Sequence, residues 1–460
     1  MKMTYDINDR PKPLSLLLLA FQQMLAILSA TIAVPFIIGH GLTPAAAMFG
    51  AGTGTIVYLL FTKRKSPVFL GSSFAFIGSM SAAFAGGVSM ALGFLGLIIG
   101  AACAGLVYVV LSIIVKHAGI GWIDKLMPPV VIGPTVAIIG LSLAGNAVSD
   151  LQKTSDGTNG SVYCALVCGL ITLAVTMLCS SYGSRKLRLI PFVCGILAGY
   201  AAASIMTVIG ETCEIPSLRV INYSVFEKTM YSNGFSLATF FKAPDLTFIK
   251  AFEGFEQIDI SYVCSILIAY IPVAFVTFAE HIADHKNLSS VIGRDLLKEP
   301  GLSATLLGDG VGSAVGAFFG GCPNTTYGES VACVAITKNA SVITIFAAAI
   351  GCILLSFISP FIAFISSIPP CVMGGVCIAL YGFISVSGFK MFRHVDLDVN
   401  RNLFVASVIL ITGIGGLSIS FGEITVTNVA VALILGILTN LMLSKEKAPV
   451  KEQEQEQQDT

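Results

Sequence analysis

The chain has 460 residues, 55% of them hydrophobic and 11% charged, with a formal net charge of zero and a mean hydropathy of +0.87. Soluble domains carry about 25% charged residues, so a soluble protein with a large core is excluded and a polytopic membrane protein is indicated. No basic patch or nucleic-acid motif appears, and the twelve cysteines include no C-x-x-C and no zinc spacing, so neither a nucleic acid, a metal nor another cofactor is expected.

The chain opens on a polar stretch, MKMTYDINDRPKP. The apolar run behind it is too long for a signal-peptide core and reads as a first span. A spanning helix needs roughly 20 apolar residues. In chain order, fourteen candidates follow: 14–38, 46–62, 67–85, 89–115, 128–148, 162–180, 190–209, 258–283, 301–320, 324–337, 341–366, 370–389, 402–420 and 424–444. Charge placement tests the count. With a cytoplasmic N-terminus, the inside segments hold 21 of the 26 Lys and Arg residues, and the short outside loops hold only Lys153. That asymmetry is the positive-inside pattern, and it predicts that both termini are cytoplasmic. The outside segment 210–257 divides the spans into two sets of seven. An odd number per half inverts one half against the other, the plan of many secondary transporters. The last residues, KEKAPVKEQEQEQQDT, read as a solvated cytoplasmic tail, 445–460.

The third and tenth spans are broken. One begins SPVFLGSSFAFIGSM (66–80), the other GCPNTTYGESVACVA (321–335). They hold the same place in their halves. Each has a Gly- or Pro-marked extended stretch, a hydroxyl pair (Ser72 and Ser73; Thr325 and Thr326), an aromatic (Phe74; Tyr327) and then a small-residue helix. Interrupted backbone at membrane depth is tolerated only where it lines a cavity or is buried in protein. Matching breaks in two halves point to a transporter's binding site.

Few acids fall inside the spans. Glu280, Asp284 and Glu329 do, and intramembrane acids usually mark a pathway or a proton relay. Glu280 and Asp284 are four residues apart, on one helix face. His281 and His285 read as helix-end histidines, and Asp309 and Glu423 as structural or interfacial acids.

The motifs FLGSSFAFI (69–77), MPPVVIGPTVAIIGLSLAG (127–145), AEHI (279–282), NTTYGES (324–330) and PPCVMGGVCIALYGFISVSG (369–388) resemble those of the nucleobase–ascorbate transporter family, also called nucleobase:cation symporter 2. The uracil permease branch is the nearest in pattern: TTYGE carries a glutamate where xanthine- and urate-type members typically have a glutamine. The resemblance covers 14–392 well. It implies an all-α polytopic fold of 14 transmembrane segments in two inverted repeats of seven, with short extended stretches in spans 3 and 10. It implies a core domain (14–116 and 258–366) moving against a gate domain (117–257 and 367–444). It also implies roles. Phe74 would lean on a pyrimidine ring. Glu329, with the backbone at Tyr327 and Gly328, would bind its polar edge. Glu280 would add a contact and couple to a proton, with Asp284 beside it. Ala30 and Tyr381 match positions that line the site. Four positions depart from the family pattern: Gln23 stands for the histidine of a Gln-His pair, Ser330 and Ala332 stand for Asn and Gly, and Asp284 stands where some uracil permeases carry a histidine.

These readings together predict a proton-coupled uracil importer of the cell membrane, working by alternating access; the resemblance also implies a homodimer through the gate domain. The alternatives are a xanthine or other purine symporter and, on the same fold plan, an anion transporter. No H-E-x-x-H or G-x-S-x-G motif supports an enzyme.

Overall fold

The computed structural model describes residues 3–444 apart from 120, 185–186, 231–238, 392, 394 and 422–423; the expected tail and Glu423 lie outside the described residues. The first half runs α1 (Pro13–Ile38), α2 (Pro44–Phe61), β1 (Leu70–Ser72), α3 (Ile77–Ala82), α4 (Met90–Ala118), α5 (Gly121–Leu126), α6 (Pro129–Ser142), α7 (Ala144–Leu151), α8 (Val162–Tyr182) and α9 (Pro191–Thr212). Short helices α10 (Ser224–Met230) and α11 (Thr247–Ala251) occupy the long connecting segment. The second half runs α12 (Ile260–Ile292), α13 (Leu302–Gly320), β2 (Asn324–Thr326), α14 (Gly328–Thr337), α15 (Val342–Leu355), α16 (Ser359–Ser366), α17 (Pro370–Met391), α18 (Asn400–Ile414), β3 (Ile419–Phe421), β4 (Ile424–Val426) and α19 (Asn428–Met442).

Among the described residues, nine helices are long and apolar enough to cross a membrane, and α14, α15, α18 and α19 are shorter apolar helices. Local chemistry sets many of the ends. Thr43, Ser89, Ser161 and Asp259 cap the N-termini of α2, α4, α8 and α12 with side-chain acceptors, meeting N–H groups that have no partner within the helix.

Three segments differ from the sequence expectation. Helix α12 does not stop near 283 but runs to Ile292, ending at Gly293 in the left-handed region (φ 71°). At 33 residues it is roughly 50 Å long. His281 and His285 are therefore buried mid-helix residues, both 0% exposed, and not helix-end histidines. The segment 341–366 is two helices, because Pro360 starts a new one at α16 and its ring cannot continue the helix before it. Helix α18 ends at Ile414, where Gly415 and Gly416 follow. Beyond it β3 and β4 pair antiparallel.

Packing sorts the helices into two groups. In one, α13 lies against α2 and α4, and α15 against α1 and α2. Close approach is possible because glycines face each other: a Cβ on Gly54 would meet the carbonyl of Gly312, and a Cβ on Gly312 would meet that of Gly54. Small residues let membrane helices touch backbone to backbone. In the other group α17 packs on α6, α7 and α8, and α18 on α19 and α6. The groups meet where α12 faces α6 and α19 and where α1 meets α17.

Candidate functional site

The two broken segments meet against the first group, β1 on α2 and α1 and β2 on α13 and α12. β1 and β2 pair antiparallel, with Leu70 opposite Thr326, Gly71 opposite Thr325 and Ser72 opposite Asn324. Ser73 N extends the ladder by donating to Pro323 O at 2.9 Å. A two-stranded ribbon has two open edges, and side chains close parts of them. Thr55 of α2 donates to Leu70 O at 3.1 Å and accepts from Leu70 N at 3.0 Å. Asn324 Nδ2 donates to Gly50 O at 3.0 Å. Both strands are buried along their whole length. Backbone groups at membrane depth are thereby satisfied inside the protein.

Gly71 is required by what lies above it. A Cβ there would run into the ring of Tyr327, and that ring is pinned because Tyr327 Oη donates to Ser72 O at 2.7 Å. Two of the departures from the family pattern also meet here. Gln23 Nε2 donates to Ser330 Oγ at 2.5 Å, and Ser330 Oγ accepts from Phe69 N at 3.2 Å. One hydroxyl thus joins α1, α14 and the approach to β1.

Each strand leads into a helix N-terminus. Phe74 opens a single helical turn that runs into α3, and Tyr327 precedes α14, with Glu329 in the first turn. Free N–H groups and the helix dipole favour acceptor groups at such ends. The space between them is a cavity of about 250 Å³. Its wall includes Phe74, Glu280, Asp284, Tyr327, Gly328 and Glu329. Asp284 accepts from Thr326 Oγ1 at 2.7 Å, which ties α12 to β2. Among the described residues no Lys or Arg is on this wall.

The other two predicted residues do not line this cavity. Ala30 is fully buried in α1. Tyr381 lies behind Phe74, edge-on, with ring centroids 5.5 Å apart. Sequence reasoning missed Asn287, Phe383 and Ser387, which do line it. Asn287 was hidden because the apolar run ends before it; only the i+3 spacing from Asp284 on a continuing helix would have signalled it.

The cavity continues along the crevice between α12 and α17 into an open space that reaches Lys390. On the far side a separate space of about 250 Å³ lies between α3, α6 and the start of α19. Phe74 touches both spaces, so its ring stands between them.

Behind the site, α12 makes a second polar group. His281 Nδ1 lies 2.6 Å from Asp309 Oδ2, and its Nε2 lies 3.0 Å from Thr305 Oγ1. His285 stacks on His281 at 4.1 Å and reaches Tyr58 Oη at 2.8 Å. Asp309 is 1% exposed, an interior acid paired across helices and not an interfacial one.

A family model described as Permease family matches residues 14–420. The uracil permease of Bacillus caldolyticus is 39% identical over 96% of this chain and 95% of its own. That of Bacillus subtilis is 37% identical over 97% and 96%, and that of Escherichia coli K12 is 35% identical over 95% and 93%. Among solved structures, the murine Solute Carrier 26 family member A9 anion transporter in the inward-facing state superposes with a TM-score of 0.65 at 10% identity, over 95% of this chain and 69% of that one. The transmembrane domain of a cyanobacterial bicarbonate transporter gives 0.59 at 14% identity, over 95% and 99%. At such identities the likeness is one of fold.

Proposed function

The chain belongs to the permease family, and from that premise we propose that it imports uracil across the cell membrane by alternating access, driven by protons. It is a multi-pass membrane protein and a transporter rather than an enzyme. The observation that carries the substrate is the cavity itself, where Phe74, Glu280 and Glu329 face one space between two helix N-termini. Uracil presents donor and acceptor atoms side by side on a flat edge. A carboxylate accepts from the ring N–H, backbone N–H groups at Tyr327 and Gly328 donate to the carbonyl, and Phe74 covers the ring face. A site built to hydrogen-bond such an edge rejects ligands that leave its groups unpaired.

The proposed architecture is fourteen spans in two inverted repeats, with both termini cytoplasmic. The core domain (14–116 and 258–366) carries the strands and moves against the gate domain (117–257 and 367–444), through which two copies pair. The crevice toward Lys390 lies on the side that the positive-inside pattern assigns to the cytoplasm, so the state described is inward-open. Glu280 and Asp284 carry the coupled proton.

The anion-transporter alternative shares the fold, but three carboxylates and, among the described residues, no Lys or Arg on the cavity wall disfavour an anion. The purine alternative is tested by competition, with cold xanthine expected to leave uracil uptake unchanged. The decisive test is uptake of radiolabelled uracil into proteoliposomes under an imposed proton gradient. Wild-type protein should accumulate uracil and Glu329→Gln should not; uptake indifferent to both the gradient and Glu329→Gln would overturn the proposal.

A further inference from the structure

Residues 247–256 lead from the long connecting segment into α12. They form α11 (Thr247–Ala251) and, directly after it, a tighter turn of helix over Phe252–Glu256. This piece lies against the ends of spanning helices. A Cβ on Gly321, just past α13, would meet Thr247 Oγ1. Lys250 Nζ donates to Gly41 O, in the link between α1 and α2, at 2.8 Å. A Cβ on Gly254 would meet Ala91 O, in the first turn of α4. Helix α12 begins close behind, at Ile260. Helices α1, α2, α4, α12 and α13 are all long and apolar enough to cross a membrane, so the ends gathered here mark one boundary of the apolar layer.

Helical spacing gives the piece three faces, since residues three or four apart share a side of an α-helix and residues three apart share a side of the tighter turn. Thr247, Ala251 and Gly254 face the protein; Thr247 and Ala251 are each 1% exposed, and Gly254 is buried. Phe248, Phe252 and Phe255 make the second face, and Phe252 and Phe255 are 75% and 61% exposed. Lys250, Glu253 and Glu256 make the third, with both acids exposed. The Phe248 ring stacks on that of Phe318 of α13, centroids 4.8 Å apart and planes within 3°. Phe318 is itself 41% exposed, two residues before the end of α13. The aromatic face therefore continues the outer wall of a spanning helix, and the charged face does not. A patch of aromatics this exposed marks a surface that something covers. Aromatic side chains collect at the membrane–water boundary, and a helix with one apolar and one charged side lies in the plane of that boundary.

We propose that residues 247–256 are an in-plane membrane anchor. Phe248, Phe252 and Phe255 enter the adjoining phospholipid leaflet just below its headgroups, while Glu253 and Glu256 stay in water. The anchor is apolar in origin. Its charged face carries one lysine and two glutamates, so it has no excess of positive charge with which to select anionic lipid. The anchor depends neither on the substrate reading nor on which side of the membrane is the cytoplasm.

The test uses the full chain in phosphatidylcholine vesicles. Trp122 is the single tryptophan, so Trp122→Phe gives a dark background, to which Phe252→Trp, Phe255→Trp or Glu253→Trp is added singly. Phe252→Trp and Phe255→Trp should emit at shorter wavelength than Glu253→Trp. Phosphatidylcholine brominated near the carbonyl end of its acyl chains should quench them several-fold more strongly than it quenches Glu253→Trp, and aqueous acrylamide should show the reverse order. High salt should leave the lipid quenching unchanged. Should Trp122→Phe not fold, the same three changes are read as differences from a parent that keeps Trp122. Equal quenching at all three positions, or acrylamide reaching Phe252→Trp and Phe255→Trp as readily as Glu253→Trp, would overturn the anchor. Short-wavelength emission without lipid quenching, growing with protein density in the vesicles, would assign the aromatic face to a second copy of the chain and would also overturn it. Lipid quenching lost in high salt would overturn its apolar origin.

Discussion

On one side of the crossing, Leu70–Ser72 leads through Ser73 into Phe74 and the six-residue helix α3. On the other, Asn324–Thr326 leads through Tyr327 into Gly328, Glu329 and the ten-residue helix α14. The plan is the same and the chemistry is not. The first segment brings an aromatic face and no ionisable group. The second brings a carboxylate in the first turn of a helix, where the dipole favours it. Even the matched aromatics differ in use. Phe74 separates two spaces, whereas Tyr327 reaches back to Ser72 O and clamps the two segments together. In the proposed mechanism one half supplies shape and the other supplies polar recognition, so damage to the two halves should be unequal.

The largest expected loss is on the polar side. Glu329→Ala leaves the edge of uracil without its charged acceptor, a loss of about 3 kcal/mol, or roughly 100-fold in Kd. Equilibrium binding of radiolabelled uracil to purified protein measures it; an affinity within a few-fold of wild type would remove Glu329 from the site. Next comes the clamp. Gly71→Ala drives a Cβ into a ring that its hydrogen bond holds in place. Overpacking of this kind costs about 1–3 kcal/mol, read as a lowered thermal midpoint and a fall in folded yield. Relief of that loss by Tyr327→Leu in the same chain would confirm the cause. Phe74→Ala on the shape side should cost less than Glu329→Ala. The ring's stacking contribution of about 0.5–1.5 kcal/mol beyond its burial corresponds to a several-fold weaker Kd. A loss for Phe74→Ala that exceeded that of Glu329→Ala would invert the assignment of roles.

Much of this asymmetry was readable in the sequence, because the breaks interrupt apolar runs and Glu329 stands inside one of them. The apolar segments themselves were also readable, since membrane helices need long hydrophobic runs. What stayed hidden depends on partners far along the chain. The polar run after Glu280 looked like the end of a helix. In the fold α12 continues, because His281 finds Asp309 and His285 finds Tyr58, 227 residues away. Asn287 reaches the cavity for the same reason. The join between Gln23 and Ser330 spans 307 residues, and no local pattern encodes it. The β3–β4 hairpin lies in a stretch where apolar content alone suggested continuing helix, and the glycines after Ile414 were the missed signal.

The smallest expected effect sharpens the comparison most. Gly328 is a glycine of the second break as Gly71 is of the first, yet it has open space beside it. The nearest atom to an added Cβ is Asp284 Oδ1 at 3.9 Å, an ordinary contact, and Gly328 does not have a positive φ. Gly328→Ala should therefore leave folding stability within about 0.5 kcal/mol of wild type, measured as an unchanged thermal midpoint. The added methyl would sit on the cavity wall and not inside a packed clamp. Any loss it causes should therefore appear as a modest weakening of uracil binding in a protein that folds normally. If Gly328→Ala instead destabilised the protein as much as Gly71→Ala, the two breaks would be equally constrained by packing, and the division into a clamp side and a ligand side would fail. An unchanged midpoint with weakened binding would place the ligand against the N-terminus of α14, the end from which Glu329 projects.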